Sequence, residues 1–192
     1  MKKKINKNGF TLIELIIVSV TMVVVSMAIY TTLSTGLKIW RKASFEIVEE
    51  NADVFFEKFT ADLRNAVMYN NITFAGSADG FELPTLVMSR NLNSRAVGKV
   101  IYSYDKDGKS VRRCAQDFSD IFNGGGPGSE ALQNVSSARF QYYTYNAQTK
   151  EYLWQDEIAD QRMPLAIRIE LEIGNNDKVV RLVKTVNIPI SN

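Results

Sequence analysis

Between Glu14 and Lys38 the chain runs for 23 residues without a charged side chain. From Phe10 to Leu33, 17 of 24 residues are apolar. At about 1.5 Å per residue the charge-free stretch is roughly 35 Å long as a helix, against about 30 Å for a bilayer's hydrocarbon core. A membrane-spanning helix is therefore expected. Lys2, Lys3, Lys4 and Lys7 precede it, but Lys38, Arg41 and Lys42 follow at once. The loop-charge rule thus favours a cytoplasmic N-terminus only weakly. The rival is a secretory signal cut after Ala28, within Ser26-Met27-Ala28. Against it, Glu14 interrupts the apolar stretch, which also runs on past Ala28 through Ile29, Tyr30 and Leu33.

Glu14 needs its own account. A carboxylate in a bilayer costs a few kcal/mol on insertion scales, so it calls for a partner. One reading is local: Thr11-Leu12-Ile13-Glu14 fits the S/T-x-x-E capping box, with Thr11 as N-cap and Glu14 at the third helical position. A negative charge there also suits the helix macrodipole. The other reading pairs Glu14 with a cation of a neighbouring subunit. The two are compatible, since a cap can hold the side chain before a partner arrives.

The string Gly9-Phe10-Thr11-Leu12-Ile13-Glu14 behind a lysine-rich leader closely resembles the prepilin signature shared by type IV pilins and type II secretion pseudopilins. That resemblance implies cleavage between Gly9 and Phe10 by an inner-membrane prepilin peptidase. It implies methylation of the new amine on Phe10. It also implies that Glu14 pairs with the N-terminal amine of an adjacent subunit during assembly. Opposite charges adjacent in low dielectric offset each other's burial, so the pairing is physically sound.

Beyond Leu37 the apolar residues thin but keep a helical step: Phe45, Val48, Ala52, Phe55, Phe59, Leu63 and Val67. Charged residues from Glu46 to Asp62 and Arg64 are assigned to the wetter face. No proline occurs before Pro84, and Gly36 is the only glycine between Phe10 and Gly76. One helix from Thr11 to Tyr69 is predicted, roughly 88 Å long. A coiled-coil homodimer is the rival for its second half. Ile47, Val54 and Phe56 widen the apolar face beyond an a/d seam and weigh against that rival.

After Asn71 the period changes to two. Strands are predicted at Phe81–Met88, Ala96–Tyr104, Lys109–Ala115, Ser136–Tyr145, Glu151–Gln155, Leu165–Ile173 and Val179–Ile190. Asp105-Lys106-Asp107-Gly108 reads as a hairpin turn, since it lacks the glutamate that completes a calcium loop. The loop Asn123–Gly128 lacks the Gly-Lys-Ser/Thr ending of a phosphate-binding loop. Phe140, Tyr142, Tyr143, Tyr145, Tyr152 and Trp154 crowd the Ser136–Gln155 hairpin. They read either as cross-strand packing or, for whichever rings face outward, as a partner surface. Antiparallel strands with one covered face, and the helix as cover, make the expected class α+β.

Composition narrows the function. Histidine is absent, which removes His-based acid–base chemistry and most zinc sites. Cys114 is the single cysteine, so no intrachain disulfide forms; it is expected to be a small buried apolar residue. No catalytic constellation, metal site or cofactor site is supported by spacing, which leaves a membrane-anchored or secreted enzyme without machinery. The formal charge is +2, from 23 Lys+Arg against 21 Asp+Glu. Removing the four leader lysines leaves 19 against 21, a side-chain total of −2.

Phe140-Gln141-Tyr142-Tyr143, Trp154, Pro164 before Leu165–Ile169, and Phe59–Val67 are similar to J-type minor pseudopilins. The resemblance implies a cleaved leader at 1–9, a membrane and assembly helix at 10–37, an amphipathic second half at 38–70 and a β-rich extracytoplasmic head at 71–192. Its implied fold is pilin-like. Its implied partners are the prepilin peptidase, other minor and major pseudopilins, the inner-membrane assembly platform and the membrane itself. Glu14 argues against the K-type tip subunit, and the missing cysteine pair against a major type IV pilin. A minor pilin of a type IV or competence pilus is the alternative; only its competence form brings in nucleic acid.

Overall fold

The computed structural model describes residues 11–189, apart from 70, 90, 124, 126, 127, 147, 148, 159–161, 176 and 177; the side chains of 41, 44–48, 175 and 178 are also outside the description. The chain is α+β. Helix α1 (Leu12–Arg64) is followed by strands β1 (Ala75–Ser77), β2 (Gly80–Ser89), β3 (Ser94–Asp105) and β4 (Ser110–Asp117). A short helix α2 (Phe118–Phe122) precedes β5 (Ser129–Leu132), β6 (Val135–Asn146), β7 (Glu151–Gln155), β8 (Ala166–Asn175) and β9 (Lys178–Asn187). Two antiparallel sheets result, in the orders β1-β2-β3-β4-β5 and β7-β6-β8-β9. By internal contacts the chain forms two units, Met1–Glu46 and Ile47–Asn192.

In the first unit the apolar span is Leu12–Trp40, 29 residues. That is about 44 Å of helix, long and apolar enough to cross a membrane. Its large apolar side chains are exposed, from Leu12 and Ile13 through Ile39 and Trp40. Hydroxyls along it turn back on their own backbone: Ser19 Oγ donates to the Ile16 carbonyl, Thr21 Oγ1 to Ile17, Thr31 and Thr32 Oγ1 to Ala28, and Ser34 Oγ to Thr31. Each such donor is satisfied without water, as hydrocarbon requires.

In the second unit Ala52, Phe55, Phe59 and Leu63 form the buried stripe of α1, at the three- and four-residue steps that periodicity predicts. The stripe's Phe45 and Val48, and Ile47 beside it, have side chains outside the described residues. Phe59 meets Phe81 at 6.0 Å and Tyr102 at 5.4 Å between ring centroids, and Phe81 meets Phe140 at 5.5 Å. The rings thus link helix, first sheet and second sheet into one core with Leu83, Val100, Ile167, Ile169 and Leu171.

The helix stops at Arg64, earlier than the predicted Tyr69. Backbone groups just past it are taken by β2: Val67 N donates to the Pro84 carbonyl at 3.0 Å and Leu86 N to the Asn65 carbonyl at 3.2 Å. Thr85 Oγ1 also donates to the Asp62 and Asn65 carbonyls, each at 2.9 Å. These bonds satisfy carbonyls that a helix end leaves orphaned. Asp105 does form the expected turn, its Oδ1 accepting from Gly108 N at 2.9 Å, with Asp105 opposite Ser110. Strand β9 ends at Asn187 rather than Ile190, which lies outside the described residues.

Tyr142 fastens one sheet to the other. Its hydroxyl, on β6, lies 2.7 Å from the carbonyls of both Ser77 and Gly80, at the ends of β1 and β2. The ring lies flat over Gly76, where a Cβ would come within 2.6 Å of the ring's Cζ. Gly76→Ala is expected to destabilise the head by about 1–3 kcal/mol through overpacking, read as a lower denaturant midpoint.

Candidate functional site

The first candidate site opens α1. Thr11 N and Thr11 Oγ1 both donate to Glu14 Oε2 at 3.0 Å, and Glu14 N donates to Thr11 Oγ1 at 3.3 Å. The reciprocal pattern is the capping box that Thr11-Leu12-Ile13-Glu14 predicts. Glu14 Oε1 has no hydrogen-bond partner among the described residues. The cap therefore fixes the carboxylate's direction and leaves one oxygen with open acceptor sites. Gly9 and Phe10, expected to carry cleavage and methylation, lie outside the described residues.

A second constellation lies within the head. Arg113 on β4 meets Asp62 on α1 side-on: Nε to Oδ2 at 2.7 Å and Nη2 to Oδ1 at 2.9 Å. Tyr102 on β3 donates its hydroxyl to the same Oδ2 at 2.6 Å. The Arg113 and Asp62 side chains keep only 15% and 12% of their exposure. Asp62 is thus turned inward, not on the wetter face where helical periodicity put it. Burial, then the Asp62 charge and hydrogen bond, push the Tyr102 hydroxyl far above its ordinary value. Burial pulls the Arg113 guanidinium down, but its hydrogen bonds and charge pairing with Asp62 outweigh this and raise it. Raised tyrosine values add stability that is complete below the ordinary value of 10.0 and is lost as pH rises above it. Thermal stability is thus expected to fall above about pH 10, and Tyr102→Phe to flatten that fall, in melts taken from about pH 8 to about pH 11.

The outer surfaces of the head carry rings as well. On β6 the alternation puts Phe140 and Tyr142 into the core and Tyr143 and Tyr145 on the opposite face. Tyr143 lies across from Trp154, and Tyr145 from Tyr152. Cross-strand packing and outward exposure therefore coexist. Elsewhere Phe118 and Phe122 of α2 are exposed, with Tyr69 against Phe118 at 6.2 Å. Helix α2 is held by its own capping box: Asp120 N donates to Asp117 Oδ1 at 2.9 Å and Asp117 N to Asp120 Oδ2 at 3.4 Å. Sequence reasoning missed α2, although Asp117-Phe118-Ser119-Asp120 carries the spacing of that motif. Cys114 is half-buried rather than buried, with Gln116 Nε2 3.6 Å from its sulfur.

Among the described residues no group of three or more His, Cys, Asp or Glu is placed to hold a metal ion. No family model matches the chain, and no curated protein sequence matches it at a significant level.

Proposed function

We propose that this chain is a structural, pilin-like subunit, closest to the J-type minor pseudopilins of type II secretion. One observation carries the reading: a Thr11–Glu14 cap that leaves Glu14 Oε1 open, at the head of an exposed, charge-free apolar helix. The cap and the helix dipole would serve any anchor helix, but neither uses the open oxygen. A subunit that must register against a neighbour does, if the neighbour brings a cation.

In this reading the chain waits in the cytoplasmic membrane as a single-pass precursor with its head on the extracytoplasmic side. Prepilin peptidase cuts between Gly9 and Phe10, and the amine of Phe10 is methylated. The helix then packs among other minor and major pseudopilins on the assembly platform, near the tip of a thin filament, and Glu14 accepts the neighbour's terminal amine. The head contributes recognition surfaces and no catalysis. The apolar exposure of Leu12–Trp40 supports the membrane and packing roles.

Mass spectrometry of the chain purified from membranes tests this. A mature chain beginning at methylated Phe10 is expected. One beginning at Ile29 is the product of a secretory signal and would overturn the reading. Neighbouring genes for a secretin and further pseudopilins are expected; retraction-motor or DNA-uptake genes would transfer the same fold to a type IV or competence pilus.

A further inference from the structure

The apolar span ends in a band where cations and apolar residues are interleaved. Lys38, Ile39, Trp40, Arg41 and Lys42 follow the charge-free stretch without a break. Ile39 and Trp40 are 64% and 70% exposed, and Lys38 and Lys42 are exposed with them. Positions 38, 41 and 42 are three and four apart, so they share one face of α1. The first acid beyond them is Glu46, four residues past Lys42. Lysine before glutamate is the weaker order for a pair within a helix. The cations therefore form a basic cluster next to the apolar span, with the acids further out.

Helix length fixes the depth of this cluster when the span crosses a bilayer. The 23 residues between Glu14 and Lys38 hold the two charges about 36 Å apart along the helix, against about 30 Å of hydrocarbon. A typical tilt of about 20° shortens that distance by only about 2 Å. Both charges thus clear the hydrocarbon, and Lys38 enters the lipid head-group layer at the C-terminal end of the span. The whole apolar span, Leu12–Trp40, is about 44 Å long and matches the about 40–45 Å of a bilayer with its head groups. Trp40 then stands at the level where amphipathic indoles concentrate.

We propose that the Lys38–Lys42 cluster binds the phosphates of anionic phospholipids, and that Trp40 holds it at that depth. The interleaving selects lipid over other polyanions. A nucleic acid or an acidic protein would meet the cations with Ile39 and Trp40 left in water, whereas a phospholipid covers both with its acyl chains. Charge selects among lipids. A zwitterionic lipid balances its phosphate with its own ammonium, so the excess of cations favours the lipid whose charge is unbalanced. Each cation near an anionic surface is worth about fivefold in affinity. The inference rests on the span crossing a membrane and is independent of filament assembly.

The test uses the full chain reconstituted in vesicles of phosphatidylcholine and phosphatidylglycerol. Trp154→Phe leaves Trp40 as the sole tryptophan, since the chain has 2. In one set the phosphatidylglycerol carries brominated acyl chains, which quench a neighbouring indole. In the other an equal amount of the phosphatidylcholine does, with the overall composition unchanged. Trp40 is expected to be quenched more by the anionic lipid, as a preference of at least about tenfold. Lys38→Gln with Lys42→Gln is expected to cut that preference at least about fivefold, with quenching by brominated phosphatidylcholine retained. Lys58→Gln with Lys150→Gln, the same change in net charge elsewhere, is expected to keep it. Equal quenching by the two labelled lipids, a preference undiminished in the Lys38 and Lys42 variant, or one lost equally in the control would each overturn the proposal. Quenching by neither lipid puts Trp40 outside the bilayer and overturns the membrane crossing along with it.

Discussion

Asp62→Ala is expected to lower the unfolding free energy of the head by about 3 kcal/mol, a large part of a typical domain's margin. The substitution removes two hydrogen bonds from Arg113 and one from Tyr102. It leaves a guanidinium at 15% side-chain exposure with no carboxylate, and a buried phenol with no acceptor. Such orphaned groups carry the desolvation penalty that dominates the loss when one partner of a buried pair is removed. Asp62→Ala combined with Arg113→Met should recover part of it, because the pair is then replaced by apolar volume. Thermal melts of the full chain should show a drop on the order of 6–12 °C for the single variant. A drop equal to that of an exposed control such as Asp53→Ala would mean that the pair is solvated and contributes little.

The second large effect concerns assembly. Glu14→Ala is expected to leave processing intact yet reduce the share of subunits recovered in filaments on the order of tenfold or more. Glu14→Gln separates the observed cap from the proposed pairing with a neighbour's amine. Its amide oxygen still accepts from Thr11 N and preserves the cap, but it brings no charge to a neighbouring amine. Filament incorporation by the glutamine variant at the native level would reduce Glu14 to a helix cap. Incorporation lost in both, with helix content unchanged by circular dichroism, isolates the charge as the active element.

Much of this molecule is readable from residue spacing, and the unread part has definite causes. The buried stripe Ala52, Phe55, Phe59, Leu63 follows directly from period, as does the box at Thr11 and Glu14. Both are local patterns, set by residues three or four apart. Asp62 is local too, but period assigns a charged residue to water by default. Only a sheet placing Arg113 and Tyr102 opposite it reverses that, and those partners lie 51 and 40 residues away. The short strands β1 and β5 carry too few residues for alternation to show. The rings of β6 alternate visibly, yet which parity faces the core depends on the register with β8. That register shifts at a bulge between Val135 and Ser137, a feature with no composition of its own. Gly9 and Phe10 are legible only as a signature, and their chemistry is for the membrane-purified chain to reveal.

Strand β9 is an edge of its sheet. Lys184 stands opposite Ile169, which is fully buried, so the lysine occupies the inward row between Leu182 and Val186 and lines an open groove beside α1 with Asp53 and Glu57. An incoming strand that hydrogen-bonded to β9 would have to seal this ammonium group away from water. Inward charge on an edge is among the devices by which β-proteins refuse fusion with copies of themselves. If the proposed membrane stem holds copies of the head near one another, this matters more than it would in dilute solution. Lys184 thus disfavours strand-to-strand fusion of heads, and in the proposed assembly the subunits would be joined through surfaces other than this edge.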